Sequence, residues 1–410
     1  MDRGNSFTET ETTSSTSSLP HIRNVVISGA GICGPVLAFW LAKAGIHVTI
    51  VERSESIRQG GHTISLADPG VEVLEFMGLT EQIQERMTKQ IGLKFRDANN
   101  QLHGTFPLSD HGFSFTSQVE IVRAELANLL YQASLSDQVE YIFGDSIDSI
   151  QETEDSIRVG LKKDTSKIIE CDILIVAEGT YSTTRSKVFK EDIRAPLKYS
   201  DQYIGLFSYK ADPDEIIDPW GYWYHIPNCP SVVVRPDGAG NMRVMILGIR
   251  AGNQTSSRPI HPTDSASKMS HLVKRKSGLG RATLLTAPAL TGMGTTVALV
   301  GSYVLAGKIV EHQTDHKAAF AAYEENLRGP IKTVHTLPLG YPWLGCPESY
   351  IGIFLLHLLL QLAGYIQSGR AFSFACRLKE KFSTPGTLEI PDATIFVEKA
   401  IPSADQLDSA

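Results

Sequence analysis

The chain has 410 residues, of which 42% are hydrophobic and 20% charged, and a formal net charge of -7. That length supports one large domain or two interleaved ones, each with its own core, and the composition is that of an ordinary globular protein. The acidic balance excludes an electrostatic basis for nucleic-acid binding, and five scattered cysteines without a CxxC pair argue against dithiol redox chemistry and a bound metal.

Residues 1–20 are rich in Ser and Thr with no apolar run, so they read as a disordered tail and not as a signal peptide. Free thiols in a reducing, cytoplasmic compartment are then expected. Residues 24–28 read as a short buried strand, 29–34 as a tight turn, and 35–44 as a helix that Gly45 ends. A second buried strand over 48–51 runs into Glu52. Helices are expected over 71–77, 80–89 and 121–133, and a third apolar strand over 171–177, followed by Glu178, Gly179 and a Ser/Thr-rich turn. Short apolar runs at 203–209, 222–226, 231–235 and 242–249, separated by Pro, Asp and Gly, predict an antiparallel sheet. Helical periodicity returns at 296–311 and 317–327. The apolar stretch 351–366 is shorter than the ~20 residues of a membrane span. It also carries His357 and Gln361, so a buried or surface-docked helix is expected there, not an anchor.

The order is α/β, then mostly β, then α/β, with no internal repeat. The fold class expected is a Rossmann-like nucleotide domain interrupted by a mainly antiparallel β domain, with a helical C-terminal segment. The nucleotide domain takes residues 21–90, 118–190 and 281–330, the inserted domain 91–117 and 191–280, and the C-terminal segment 331–410.

The turn Gly29-Ala30-Gly31-Ile32-Cys33-Gly34 carries specific physics. Gly29 allows the tight turn, Gly31 lets a pyrophosphate approach the backbone, and Gly34 lets helix and strand pack closely. The pyrophosphate would sit on the helix N-terminus, where free N–H groups and the helix dipole favour anions. Glu52 follows Gly34 at about the ~20 residues expected of a ribose-binding carboxylate. Strand, turn, helix, second strand and terminal acid together turn a weak motif into a useful one. The loop alone does not choose between NAD and FAD.

The longer strings 25–35 (VVISGAGICGP) and 48–53 (VTIVER) resemble the class A FAD-dependent monooxygenases, the relatives of para-hydroxybenzoate hydroxylase and of the tetracycline-modifying monooxygenases. The resemblance extends through Gly60-Gly61, Arg123-Ala124-Glu125-Leu126, residues 171–185 and Thr291-Gly292-Met293-Gly294-Thr295-Thr296. It implies FAD as cofactor, with NADPH and O2 as co-substrates and a small aromatic or polyketide-like substrate, in specialised (secondary) metabolism. It places Glu52 on the adenosine ribose with Arg53 beside it, Ser65 close to the cofactor, and Arg123 at its phosphate and ribityl region. Gly292, Met293, Gly294 and Thr295 would set backbone N–H groups at the pyrimidine edge of the flavin. A single dinucleotide loop fits this family, which has no separate NADPH domain.

Two departures stand out. Glu178-Gly179 occupies the place of the family's Asp-Gly, and the acid there has a second role open to it, capping the next turn. After the strand-like segment 281–285, the family's Gly-Asp and several following residues are missing. Three readings therefore stay open: an active monooxygenase with one fewer FAD anchor, a non-redox binding or cyclase-like flavoprotein scaffold, and a truncated, inactive gene product. Tyr222, Trp223, Tyr224 and His225 are candidates to line a substrate pocket, with core packing as the commoner role of such a run. His225 reads as a structural histidine and not as a base, so no residue is assigned a catalytic role; oxygen transfer by a flavin needs no covalent nucleophile from the protein, so the lack of a triad does not argue against an enzyme.

Overall fold

The computed structural model describes residues 22–108, 115–153, 156–195, 202–212, 218–249, 280–283, 292–334 and 345–367. The predicted tail, and the segment 284–291 that lacks the Gly-Asp pair, lie outside them.

The chain opens with β1 (Asn24–Ser28), α1 (Cys33–Lys43) and β2 (His47–Glu52). Then come β3 (Thr63–Leu66), α2 (Asp68–Phe76) and α3 (Thr80–Arg86). An excursion through β4 (Gly92–Asp97) and β5 (Leu102–Pro107) returns to β6 (Val119–Val122), α4 (Arg123–Ser134) and β7 (Val139–Phe143). The strands β8 (Ile147–Glu152), β9 (Ile157–Leu161) and β10 (Ile168–Cys171) form an antiparallel meander before β11 (Ile173–Val176) and α5 (Thr183–Phe189). A second excursion, β12 (Gln202–Lys210), β13 (Trp220–His225), β14 (Ser231–Pro236) and β15 (Asn241–Ile249), precedes β16 (Gly280–Thr283). The last elements are α6 (Gly294–Glu311), α7 (His316–Val334) and α8 (Tyr350–Gln367).

The main sheet is parallel, in the order β16-β11-β1-β2-β7. Its central strands are apolar along their length because helices and the meander cover both faces. Val25, Ile27, Val48 and Ile50 pack with Leu37 and Leu41 of α1 in the largest core cluster. Each fully buried Leu or Ile contributes roughly 1.5–3 kcal/mol. Helix α1 is buried nearly all round, between the sheet, α4 and α6, and its Trp40 meets Tyr303 of α6 edge-on at 5.0 Å.

The six-stranded sheet, β12-β15-β14-β13-β4-β5, gathers its strands from the two excursions. It is antiparallel except where β13 runs parallel to β4. α8 lies along β5, with Leu360 packed among Leu93, Phe95 and Phe106. This is the surface-docked helix expected over 351–366. Among the described residues no helix is long and apolar enough to cross a membrane.

Three expectations need correction. Residues 121–122 are strand, not helix: β6 pairs antiparallel with β3, and the helix begins at Arg123, after Val122 in an extended conformation. The apolar run 171–177 is split, because Cys171 closes β10 and only Ile173–Val176 enters the parallel sheet. The helix expected over 80–89 stops at Arg86, and Lys89 adopts a positive φ of 56°.

Candidate functional site

β1 and β11 end side by side, Ser28 opposite Val176, and the glycine turn leaves the sheet there. Gly29 has φ 109°, and a Cβ on it would lie 2.7 Å from the Ala177 carbonyl oxygen. A Cβ on Gly34 would collide with the Gly29 carbonyl oxygen. Gly31 differs: among the described residues, the one atom within 4 Å of a Cβ there, apart from its chain neighbours, is Nη2 of Arg123, at 3.8 Å. The first turn of α1 has no side-chain cap and no acidic residue. Its free N–H groups and the open space over Gly31 form a cradle for an anion.

Arg123 stands at the edge of that cradle. Its N–H donates to the His62 carbonyl at 3.1 Å, and its Cβ lies 3.0 Å from where a Cβ on Gly61 would be. Burial, with the nearby Arg58 second, draws its pKa below the ordinary arginine value. Among the described residues no carboxylate pairs with it, which is how a cation that serves a ligand anion is left.

Glu52 closes the other side. Its carboxylate accepts from the N–H of Ala30 at 2.8 Å and of Ser54 at 3.0 Å, so it is held at the mouth of the turn. Arg53 is exposed just beyond it. A cleft of about 540 Å³, lined by Glu55, Phe143, Gly144, Asp145, Lys163 and Lys167 among others, opens at this end. The cleft touches the carboxyl end of β7, and the Asp145 N–H donates to the Glu52 carbonyl at 3.1 Å. Ligands of open α/β sheets bind outside the carboxyl ends of the strands.

The remaining predicted positions are placed as follows. Glu178 accepts from the hydroxyls of Ser28 and Thr184, from Ser182 Oγ at 2.8 Å and from the Thr184 N–H at 3.0 Å. Burial raises its pKa, but these donors outweigh it and hold the carboxyl below its ordinary value. Gly179 follows in the turn, with φ 77°. Ser65 donates to Glu120 Oε1 across the β3–β6 pair at 2.9 Å. Gly292 turns the chain into α6, whose N-cap residue Met293 accepts from the Val297 N–H at 2.9 Å. Gly294 and Thr295 start the helix, again with no acid in its first turn. Thr296 Oγ1 accepts from the Ala67 N–H at 3.1 Å, which fixes this turn beside α2. Gly29, Gly31, Gly34, Glu52, Arg123 and Glu178 thus cluster round one turn, and Gly292 to Thr295 form a second helix N-terminus on α6, which packs along α1.

The aromatic run of β13 divides. Trp223 and His225 face inward and stack on Phe95, whereas Tyr222 and Tyr224 stack with each other on the outer face beside Lys94 and Arg96. His225 is fully buried, and its pKa is pushed down to about 4 by burial and then by His357. Core packing accounts for Trp223 and His225, and not for Tyr222 and Tyr224.

Two arginines went unread in the sequence. Arg235 and Arg243 are register partners on β14 and β15, and like charges opposite one another are unfavourable unless each has its own anion. Glu120 supplies one, with Oε1 2.5 Å from Arg235 Nη1, and Asp237 the other, with Oδ2 2.8 Å from Arg243 Nη2. Arg243 also donates to the Gly61 carbonyl at 3.3 Å. Arg235 therefore ties the six-stranded sheet to β6, just before Arg123, and Arg243 ties it to the loop at Gly61 that packs against Arg123. The only sequence signal was a charged residue at an inward position of an otherwise apolar strand. Among the described residues no group of His, Cys, Asp and Glu is suited to hold a metal ion.

Residues 23–298 match the family model described as FAD binding domain. The chain is 30% identical to the FAD-dependent monooxygenase asL4 of Sarocladium schorii, over 72% of this chain and 77% of that one. It is 28% identical to monooxygenase CTB7 of Cercospora beticola, over 86% and 94%. The structure of Klebsiella pneumoniae HpxO complexed with FAD and uric acid superposes with a TM-score of 0.64 at 17% identity, covering 86% of this chain and 97% of HpxO. The cradle over Gly31, the helix N-terminus under it and Arg123, which has no carboxylate partner among the described residues, fit an FAD pyrophosphate. The chain belongs to the FAD-binding monooxygenase family, the class A flavin monooxygenases.

Proposed function

We propose that the protein is an FAD- and NADPH-dependent monooxygenase that inserts one oxygen atom from O2 into a small aromatic or polyketide-like molecule of secondary metabolism. The observation that carries this reading is the anion cradle at Gly31, with Arg123 beside it and Glu52 at its mouth. In this reading the α1 N-terminus and Arg123 hold the pyrophosphate, Glu52 takes the adenosine ribose, and the N–H groups around Gly292 to Thr295 face the flavin ring. Bound FAD supplies the redox and oxygen chemistry; the protein orients it and keeps water from it. The substrate class draws support from HpxO, whose bound uric acid is a small aromatic heterocycle in the same fold.

The test is the visible spectrum of the purified protein, recorded before and after NADPH is added in air with a panel of phenolic and polyketide substrates. A yellow protein that NADPH bleaches, with oxygenated product, is expected. A colourless protein that cannot be reconstituted with FAD removes the proposal. A yellow protein that NADPH never bleaches points to the non-redox scaffold, the reading favoured by the missing Gly-Asp pair. In parallel, Gly31→Leu fills the cradle and is expected to abolish flavin retention while the parallel sheet still folds.

A further inference from the structure

α8 is presented to solvent as an uncharged apolar surface. One face is anchored: Ile353, His357 and Leu360 are buried, and Leu360 packs among the aromatic side chains of β4 and β5. The other face exposes a continuous stripe of Ile351, Phe354, Leu358, Leu362 and Tyr365, flanked by three more large apolar side chains. These eight side chains are 51–81% exposed. Taking roughly 200 Å² for a large side chain, the face offers on the order of 1,000 Å². That exceeds the few hundred Å² of an ordinary surface patch and meets the ~800 Å² per partner of a stable protein interface.

We propose that this face is the interface between two copies of the chain, packed as an antiparallel α8–α8 pair about a two-fold axis near Leu358. Three observations select a second copy. The stripe steps 351, 354, 358, 362, 365, a spacing that reads the same in both directions about Leu358. An antiparallel copy therefore sets Leu358 on Leu358, Phe354 on Leu362 and Ile351 on Tyr365, as an isologous contact requires. The helix contains no Asp, Glu, Lys or Arg, so no like charges meet across the axis. A lipid surface fits less well: interfacial helices carry Lys and Arg along their polar edge, whereas this one has none, is preceded by Glu348, and belongs to a chain of net charge -7.

The test is the mass of the full flavin-loaded chain by sedimentation velocity over about a hundredfold concentration range. The expected result is a species of twice the chain mass that Leu358→Lys converts to monomer, since a lysine there meets its own copy. The register is tested with Phe354→Lys and Leu362→Glu, each expected to be monomeric alone and to form a one-to-one heterodimer when mixed. Circular dichroism and flavin content guard against unfolding, and if Leu358→Lys does not fold the mixed pair decides. A monomeric parent protein overturns the proposal. So does a dimer indifferent to these substitutions, or a monomer that co-sediments with phosphatidylcholine vesicles.

Discussion

Gly31 and Gly34 are both glycine for reasons of space, but of different kinds. At Gly34 the space is taken by the protein's own Gly29 carbonyl, so any side chain breaks the turn; at Gly31 it is left open for a ligand. Spacing in the sequence could identify both, because the need for glycine arises within six consecutive residues of chain. Glu178 shows the opposite. Its place after the third strand was legible, and so was its role in capping the next turn, where Ser182 and Thr184 lie, but its bond to Ser28, far back in the chain, was not. With both oxygens occupied by donors of the protein, the carboxylate braces the start of α5 against the end of β1. Glu178→Ala leaves buried hydroxyls and an N–H without an acceptor, at about 1–3 kcal/mol. Chemical denaturation is expected to show that loss while the dissociation constant for FAD changes less than about threefold. A selective collapse of FAD affinity with stability intact would mean that the carboxylate serves the cofactor directly.

At the scale of elements, the parallel strands were legible because burial on both faces makes them unbroken apolar runs. The meander β8–β10 was not, since its strands carry Asp148, Arg158 and Glu170 on a solvent face. The short β6 was absorbed into the helix that follows it, because four residues are too few to reveal a period. For α8 the sequence announced a docked helix but not its fastening. His357 stacks on His103 of β5 at 3.9 Å and meets His225 of β13 edge-on at 5.5 Å, while Asp97 holds His103 at 3.0 Å and Gln361 reaches its other ring nitrogen at 3.2 Å. His357 is pushed down to about 4, by burial and then by His103, with Asp97 opposing, and His225 likewise stands at about 4. Both rings are neutral in the docked state, whereas a free histidine takes up a proton near pH 6.5. The undocked state therefore binds more protons between these values, so the docking is full above pH 6.5 and weakens as pH falls toward 4. The protection of residues 350–367, taken relative to the free-chain exchange rate at each pH, is expected to fall over that window, and to fall less in His357→Phe, which keeps the stack and leaves only His225 to titrate. Equal protection at pH 7 and pH 4.5 rules out the histidine fastening.

At the scale of the whole molecule, the question is what holds the six-stranded sheet against the nucleotide-binding body. The sheet is threaded through the body twice in sequence, and the order of α/β and β segments made that insertion readable. The seam was not, because Glu120 and Arg235 lie far apart in the chain and meet only once β6 and β14 have both formed. The pair is desolvated: the Glu120 side chain is 4% exposed and that of Arg235 13%, and Ser65 donates to the same carboxylate oxygen. A buried pair of this kind is weak evidence for net stability, since water must be removed from both ions, but losing one partner leaves a buried charge uncompensated at about 3–5 kcal/mol. Glu120→Gln is therefore expected to destabilise the protein by several kcal/mol and to loosen the sheet from the loop at Gly61, where Arg243 makes its own contact. Replacing both ions, Glu120→Gln with Arg235→Met, is expected to recover most of the loss, because the desolvation cost of the orphaned charge goes with it. A double-mutant cycle on urea unfolding measures the coupling, which is expected to exceed about 2 kcal/mol. Additive effects would show that the two side chains are neighbours without being the tie, and would leave the bond from Arg243 to the Gly61 carbonyl as the fastening of the seam.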